Sequence, residues 1–273
     1  QVFIEGTQAD LLVEDDTRSF CFRTFDRVRA LVVARPGQPE EPVAMSPAGM
    51  LQVALDPYAR REPWPIEVRT VTPEQFSPRD LRSTDVVFLC ETGDLHPRQS
   101  QSLRDFVTHG GTAVVFPGPG DDRTKLNSWM FDRIQKADPP SPSLLGSAVG
   151  QIGPAAGATP VEWADLSHPL LRGLYSDTDE LAQILVKRYF EVSYLPPVSS
   201  VILRLKARAP LLLSHRHGDG RWFLWTVPAS PRWSNLPVTG TFLPIVSRIC
   251  LLSRPMAHTD PNYAAASRIL LRL

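Results

Sequence analysis

Short, unbroken apolar runs recur along this chain, separated by stretches with helical spacing. Val28 to Ala34 (VRALVVA) is such a run, and it predicts a strand covered on both faces. Ile66 to Val71, Val86 to Cys90 and Thr112 to Phe116 read the same way. Between them, Pro47 to Tyr58 repeats apolar residues at helical intervals through Met50, Leu51, Ala54 and Leu55. Pro97 to His109 places Leu103, Phe106 and Val107 on one helical face, with Pro97 in the first turn and Gly110-Gly111 as a stop. This order predicts an α/β fold: a mostly parallel, doubly wound sheet with helices on both sides.

The second half is less regular. Leu126 to Lys136 predicts a helix, and Asp138 to Thr159 a loop rich in Pro, Gly and Ser. Phe190 to Tyr194, Val201 to Leu205, Leu211 to Ser214 and Arg221 to Val227 predict strands, with a hairpin turn at His217-Gly218-Asp219-Gly220. Thr241 to Leu252 predicts a closing helix whose Phe242, Ile245, Val246 and Ile249 share a face. These strands form a β-rich C-terminal extension. In residues 1–26, Val2, Ile4, Phe20, Phe22 and Phe25 alternate with polar positions, which predicts a β-hairpin left from a preceding β domain. Residues 27–273 form the α/β domain.

Composition narrows the function classes. Lys+Arg and Asp+Glu are both 29 in a chain of 273 residues, so the balance carries no footprint for nucleic acid or anionic lipid. The 27 prolines mark fixed connections, because the apolar runs between them are strong. Cys21, Cys90 and Cys250 are too few and too widely spaced for a disulfide framework or a CxxC metal pair, and are read as buried free thiols. No segment has signal-peptide character. The longest uncharged stretch, Pro139 to Val161, is a Pro/Gly/Ser/Ala loop and not a membrane span. The chain enters a strand-like pattern directly at Gln1, so it is read as a piece of a longer protein whose membrane anchor lies elsewhere.

Four segments carry a family resemblance: DLLVEDDTRSF ahead of the first buried strand, DVVFLCETGDLHPRQSQSLRDFVTHGGTAVVFPGPG, SHPLLRGL and WSNLPVTGTFLPIVSRI. In this order they resemble the class I glutamine amidotransferase-like, flavodoxin-like domain of bacterial membrane proteins of the aerotolerance-regulator (BatA-like) type. The resemblance implies a soluble module of a membrane-anchored bacterial protein, with no established reaction. Its expected partners are other domains of the same longer protein and other proteins. SHPLLRGL followed by Asp177-Thr178-Asp179-Glu180 also resembles the trehalose-utilisation branch of that superfamily, which implies a sugar-related alternative.

An amidotransferase of this fold carries its nucleophilic cysteine on a glycine-flanked turn between strand and helix. The corresponding turn here is Pro117-Gly118-Pro119-Gly120, with glycines and no cysteine. Pro119 supplies neither a nucleophile nor an N–H for an oxyanion. The expectation is therefore a non-catalytic module for protein interaction or ligand sensing, with no cofactor. The enzymatic alternative is a hydrolase or amidotransferase using Cys90 with His96 or His168. Cys90 ends a buried strand but lacks flanking glycines, and Glu91 and Asp94 would raise its pKa, so a packed thiol is expected. For His168, a turn-capping role is expected. His215 and His217 with Asp219, and the acidic run Asp10, Glu14, Asp15, Asp16, are read as a hairpin tip and an acidic turn. Neither has a full ligand set, so no metal is expected. Trp222 and Trp225 are read as core, and Ser234 and Asn235 as helix-capping or cleft-lining residues.

Open α/β sheets bind ligands in the loops after the strand C-termini. That rule selects Arg35, Glu91, Gly118 and Asp122 as the ligand-cleft residues. An ion pair from Arg35 to Glu91 or Asp122 is the arrangement that would close such a cleft.

Overall fold

The computed structural model describes residues 27–37, 42–58, 64–92, 95–122, 124–126, 157–192, 199–206 and 208–253. The four expected strands form β1 (Val28–Ala34), β2 (Ile66–Val71), β3 (Val86–Cys90) and β4 (Thr112–Phe116), of which the edge strand β2 is buried only at Ile66 and Val68. They pair in parallel in the order β2-β1-β3-β4. Every residue of β3 and β4 is buried. Covered faces on both sides explain why their sequences run apolar without alternation.

Strand periodicity splits the core into two layers. Val28, Ala30 and Val32 face α1 (Pro47–Leu55), through Leu51, Ala54 and Leu55, and the last described helix, through Phe242, Ile245, Val246 and Ile249. Leu31, Val33, Val87 and Leu89 face Leu81 of the short α2 (Pro78–Leu81), and Leu103 and Val107 of α3 (Pro97–Thr108). The last helix is α4 (Phe242–Leu252). Caps fix where helices begin. Ser46 Oγ accepts from Gly49 N at 3.1 Å ahead of Pro47. At α3, His96 is the N-cap, and its own N–H donates to Gln99 Oε1 at 2.8 Å.

The second half corrects the sequence reading. Its strands are no extension beside a parallel sheet; among the described residues they complete one mixed sheet of nine strands, β2-β1-β3-β4-β9-β8-β7-β5-β6. β9 (Gly220–Trp225) lies parallel to β4, pairing Thr112 with Arg221. Beyond it, β8 (Pro210–His217), β7 (Ser199–Leu205), β5 (Thr159–Ala164) and β6 (Leu185–Val186) are all antiparallel. Hence "mostly parallel" holds only for the β1–β4 side and its junction with β9. β5 starts where a loop was expected to end, and Pro160 hid it, because a proline within a run argues against a strand.

Phe190 to Tyr194 forms no strand within its described residues. Phe190 gives a single backbone bond to Thr226 O at 2.8 Å, and its ring packs on Trp233 at 5.0 Å. Its alternating pattern reflects two core-facing side chains, Phe190 and Val192, without a ladder. Asn235 is the N-cap residue of a short 3-10 turn, Leu236–Val238, but its side chain makes no capping bond there, and it does not line the cleft. It accepts from Leu185 N at 2.7 Å and donates to Gln183 O at 2.9 Å, pinning the edge strand β6. The N-terminal hairpin and nearly all of the Leu126–Lys136 helix fall outside the described residues.

The β8–β9 turn adopts the predicted hairpin, with Gly218 at φ 61. A side chain there would also meet Thr108 O at 2.5 Å, and one at Gly220 would meet Val107 O at 2.1 Å. These glycines let the hairpin tip sit directly on the end of α3.

Candidate functional site

Register gathers the site. Ala34, Cys90 and Phe116 are cross-strand partners, so the residues after them emerge together at the C-terminal edge of the parallel strands. There a cleft of about 220 Å³ is lined by Arg35, Pro36, Gly37, Pro47, Glu91, Gly120, Asp121 and Arg232.

Glu91 is the centre of this arrangement. Its φ is 48, the left-handed region that a side chain with a long stem rarely occupies. Its N–H still donates to Phe116 O at 3.0 Å, so the strand ladder runs right up to the bend. The side chain folds over the turn after β4. A Cβ on Gly118 would lie 2.5 Å from Glu91 Cγ and 2.8 Å from its Cβ, so only glycine at 118 admits the carboxylate. Glu91 Oε1 accepts from Ser230 Oγ at 3.3 Å, and Oε2 lies 3.6 Å from Arg232 Nη1. The Glu91 side chain is 17% exposed and that of Arg232 35%, which strengthens the pair relative to one in open water. Asp121 Oδ2 accepts from Gly118 N at 2.9 Å and closes the Pro-Gly-Pro-Gly turn.

The sequence-selected residues divide. Arg35 and Glu91 line the cleft, and Gly118 supports Glu91 from beneath. Asp122 turns away, accepting from Thr124 N at 2.9 Å and Lys125 N at 3.2 Å, and Asp121 takes the cleft position. The described ion pair runs from Glu91 to Arg232, not from Arg35. Sequence reasoning missed Arg232 and Ser230. Asp121 follows the turn glycines at the C-terminal end of β4, where the sequence already puts it at the border of the cleft. Arg232 and Ser230 follow β9, and only the insertion of β9 beside β4 brings them to β3.

Cys90 lies under the cleft floor, completely buried. Burial pushes its thiol well above the ordinary range, and the carboxylates of Glu91 and Asp121 push it further. Burial likewise raises Cys250 on α4. His96 serves α3, its Nδ1 accepting from Arg98 N at 3.3 Å. His168 caps its own turn: Nδ1 accepts from Leu170 N at 3.2 Å, and its carbonyl accepts from Leu171 and Arg172 N, both at 2.9 Å. His215 Nδ1 and Ser199 Oγ share a hydrogen bond at 2.9 Å, and its ring stacks 6.5 Å from that of His217. Among the described residues, no group of three or more His, Cys, Asp or Glu side chains could hold a metal ion. No helix among them is long and apolar enough to cross a membrane.

No family model matches the chain, and no curated protein matches it. Solved structures do. A cytoplasmic protein of Salmonella typhimurium LT2 superposes with a TM-score of 0.60 at 14% identity, over 84% of this chain and 100% of that one. A second cytoplasmic protein of Salmonella typhimurium gives 0.54 at 14% identity, over 82% and 98%. A ThuA-like protein of Bacteroides uniformis gives 0.56 at 10% identity, over 84% and 92%. At these identities the likeness concerns the fold alone, a mixed α/β sheet.

Proposed function

We propose that this chain is a non-catalytic amidotransferase-like module that senses a small ligand, or a partner's loop, in the cleft bounded by Arg35, Glu91, Asp121 and Arg232. The observation that carries the reading is Glu91, held in a left-handed backbone with a glycine beneath it and Ser230 and Arg232 at its carboxylate. Backbone strain of this kind persists where a site is fixed for a task. The nucleophile is what the site lacks. The elbow turn carries Pro119, and Cys90 is sealed behind the floor as a thiol. The order of sequence motifs supports a membrane-anchored bacterial parent, tethered through regions outside this chain.

The direct test is a thermal-shift and calorimetric screen of a metabolite library. A ligand should emerge whose binding weakens at least tenfold in Glu91→Gln and in Arg232→Ala. Ligands that bind equally well to both variants, or rapid alkylation of Cys90 in the folded protein, would refute the reading. Fractionation of the full-length gene product tests the tether, and recovery of that product in the soluble fraction alone would remove it.

A sugar-derived ligand is the second reading, favoured by the ThuA-like fold neighbour and the SHPLLRGL motif. Carboxylate–arginine pairs such as Glu91–Arg232 offer acceptors and donors side by side, which suits vicinal hydroxyls. Selective stabilisation by sugars or polyols within the same library would favour it over the general reading.

A further inference from the structure

The opposite edge of the sheet, at the N-terminal end of β9, holds an arrangement that the cleft does not use. Arg216 of β8 and Arg221 of β9 are direct cross-strand partners. Directly opposed residues of an antiparallel pair project from the same face, here the face that also bears Phe223 and Trp225. Two like charges in that position repel, where a β-ribbon would gain from one of each sign. Arg221 is half-buried and Arg216 exposed. The Arg221 guanidinium lies 6.0 Å from the Phe223 ring centre, and no described carboxylate forms an ion pair with either arginine.

The turn after β5 brings His168 close enough to feel the Arg221 charge. The Arg172 backbone N–H closes that turn onto His168 O, and the Arg248 guanidinium of α4 donates to Arg172 O at 3.1 Å. The nearby acid, Asp165, is bent into its own turn, accepting from Ser167 N at 3.1 Å and Ser167 Oγ at 2.6 Å. Asp219 at the hairpin tip pairs with neither arginine among the described residues. His168 adds a directed donor. Its Nδ1 accepts from Leu170 N, so in the neutral ring the proton sits on Nε2, and no described acceptor takes it.

We propose that Arg216, Arg221 and His168 form an oxyanion site for a phosphate-type ligand, separate from the cleft. Two guanidinium forks and an imidazole N–H supply the planar, multidentate donors that phosphate recognition uses. A bound oxyanion would also convert the repulsion between the two arginines into attraction. Burial and the Arg216 charge both lower the Arg221 pKa, consistent with a guanidinium held ready for an anion.

The test uses the whole chain in thermal-shift titrations with inorganic phosphate, with phenyl phosphate and with sodium chloride at matched ionic strength. Phosphate or the monoester should raise the melting temperature in a saturable, millimolar range that chloride does not reproduce. A response to inorganic phosphate identifies free oxyanion as sufficient, and a response to phenyl phosphate alone identifies a phosphorylated molecule. Both outcomes support the site. Arg216→Gln, at an exposed position, should remove at least tenfold of the affinity while raising the melting temperature of the ligand-free protein. His168→Asn should weaken binding by a smaller factor, and Glu91→Gln should leave the phosphate response intact. No anion-specific stabilisation, or one that survives in Arg216→Gln, would overturn the proposal without touching the cleft reading.

Discussion

Glu91 shows how a single residue can cost stability for the sake of position. A non-glycine residue in the left-handed region costs about 1–3 kcal/mol. Replacing it separates that cost from the carboxylate's own bonds. Glu91→Gln and Glu91→Gly both lose the charge, but only glycine relieves the backbone. Glu91→Gly should therefore be about 1 kcal/mol the more stable of the two in urea unfolding; equal stability would mean that the backbone at 91 carries no strain. His215 gives a second residue-level prediction. Burial, with a smaller contribution from His217, lowers its pKa to about 4 in the folded state, against an ordinary value of 6.5. The neutral form is the one that folding favours, so its stabilisation is complete above about pH 6.5. It is lost as pH falls from there toward 4, by about 3 kcal/mol in total. Denaturation curves across that window should show a steeper slope in the parent than in His215→Asn, where half-buried His168, also lowered by burial, still contributes. The packing of Cys90 was legible in the unbroken run VVFLC. The conformation of Glu91 was not, because nothing in glutamate's chemistry marks a left-handed turn and Gly118 gains meaning only once the two segments touch.

Elements built from a single strong signal were readable in advance. The helices Pro47–Leu55 and Pro97–Thr108 start at prolines with caps before them, and the β8–β9 hairpin turns on a glycine-rich tetrapeptide. Where two signals compete, pattern fails: a proline hid β5, and alternating aromatics imitated a strand after Phe190. The hairpin also supplies a packing test. Gly220→Ala would drive a methyl group to 2.1 Å from Val107 O and 2.2 Å from Gly111 O, both backbone atoms that cannot swing aside. It should cost about 1–3 kcal/mol, the usual penalty of overpacking, by chemical denaturation. Gly240→Ala, with nothing within 4 Å of the added carbon, should be close to neutral. Element packing likewise governs the thiols on β3 and α4: in the native protein, mass-mapped iodoacetamide labelling should find Cys90 and Cys250 unreacted over times that modify free cysteine.

Across the whole molecule, β1, β3 and β4 were legible because burial on both faces leaves a compositional mark. The join between β4 and β9 leaves none. It is specified by which edge remains open after the first four strands have paired, and Arg232 and Ser230 enter the cleft only through it. That seam also has a kinetic consequence. Thr112 and Arg221 meet across it, whereas Ser214 and Phe223 meet across a hairpin. Closing the long loop must be compensated by many contacts formed together, so the seam should zip after each side has begun to order. In stopped-flow chevrons, Val115→Ala on the seam should have a φ-value near zero, accelerating unfolding and scarcely slowing refolding. Leu213→Ala, opposite Leu224 within the hairpin, should slow refolding instead. A cleft assembled by the last step to form is also the first to come apart, so exchange of the amides around Arg232 should report partial opening well below the denaturation midpoint.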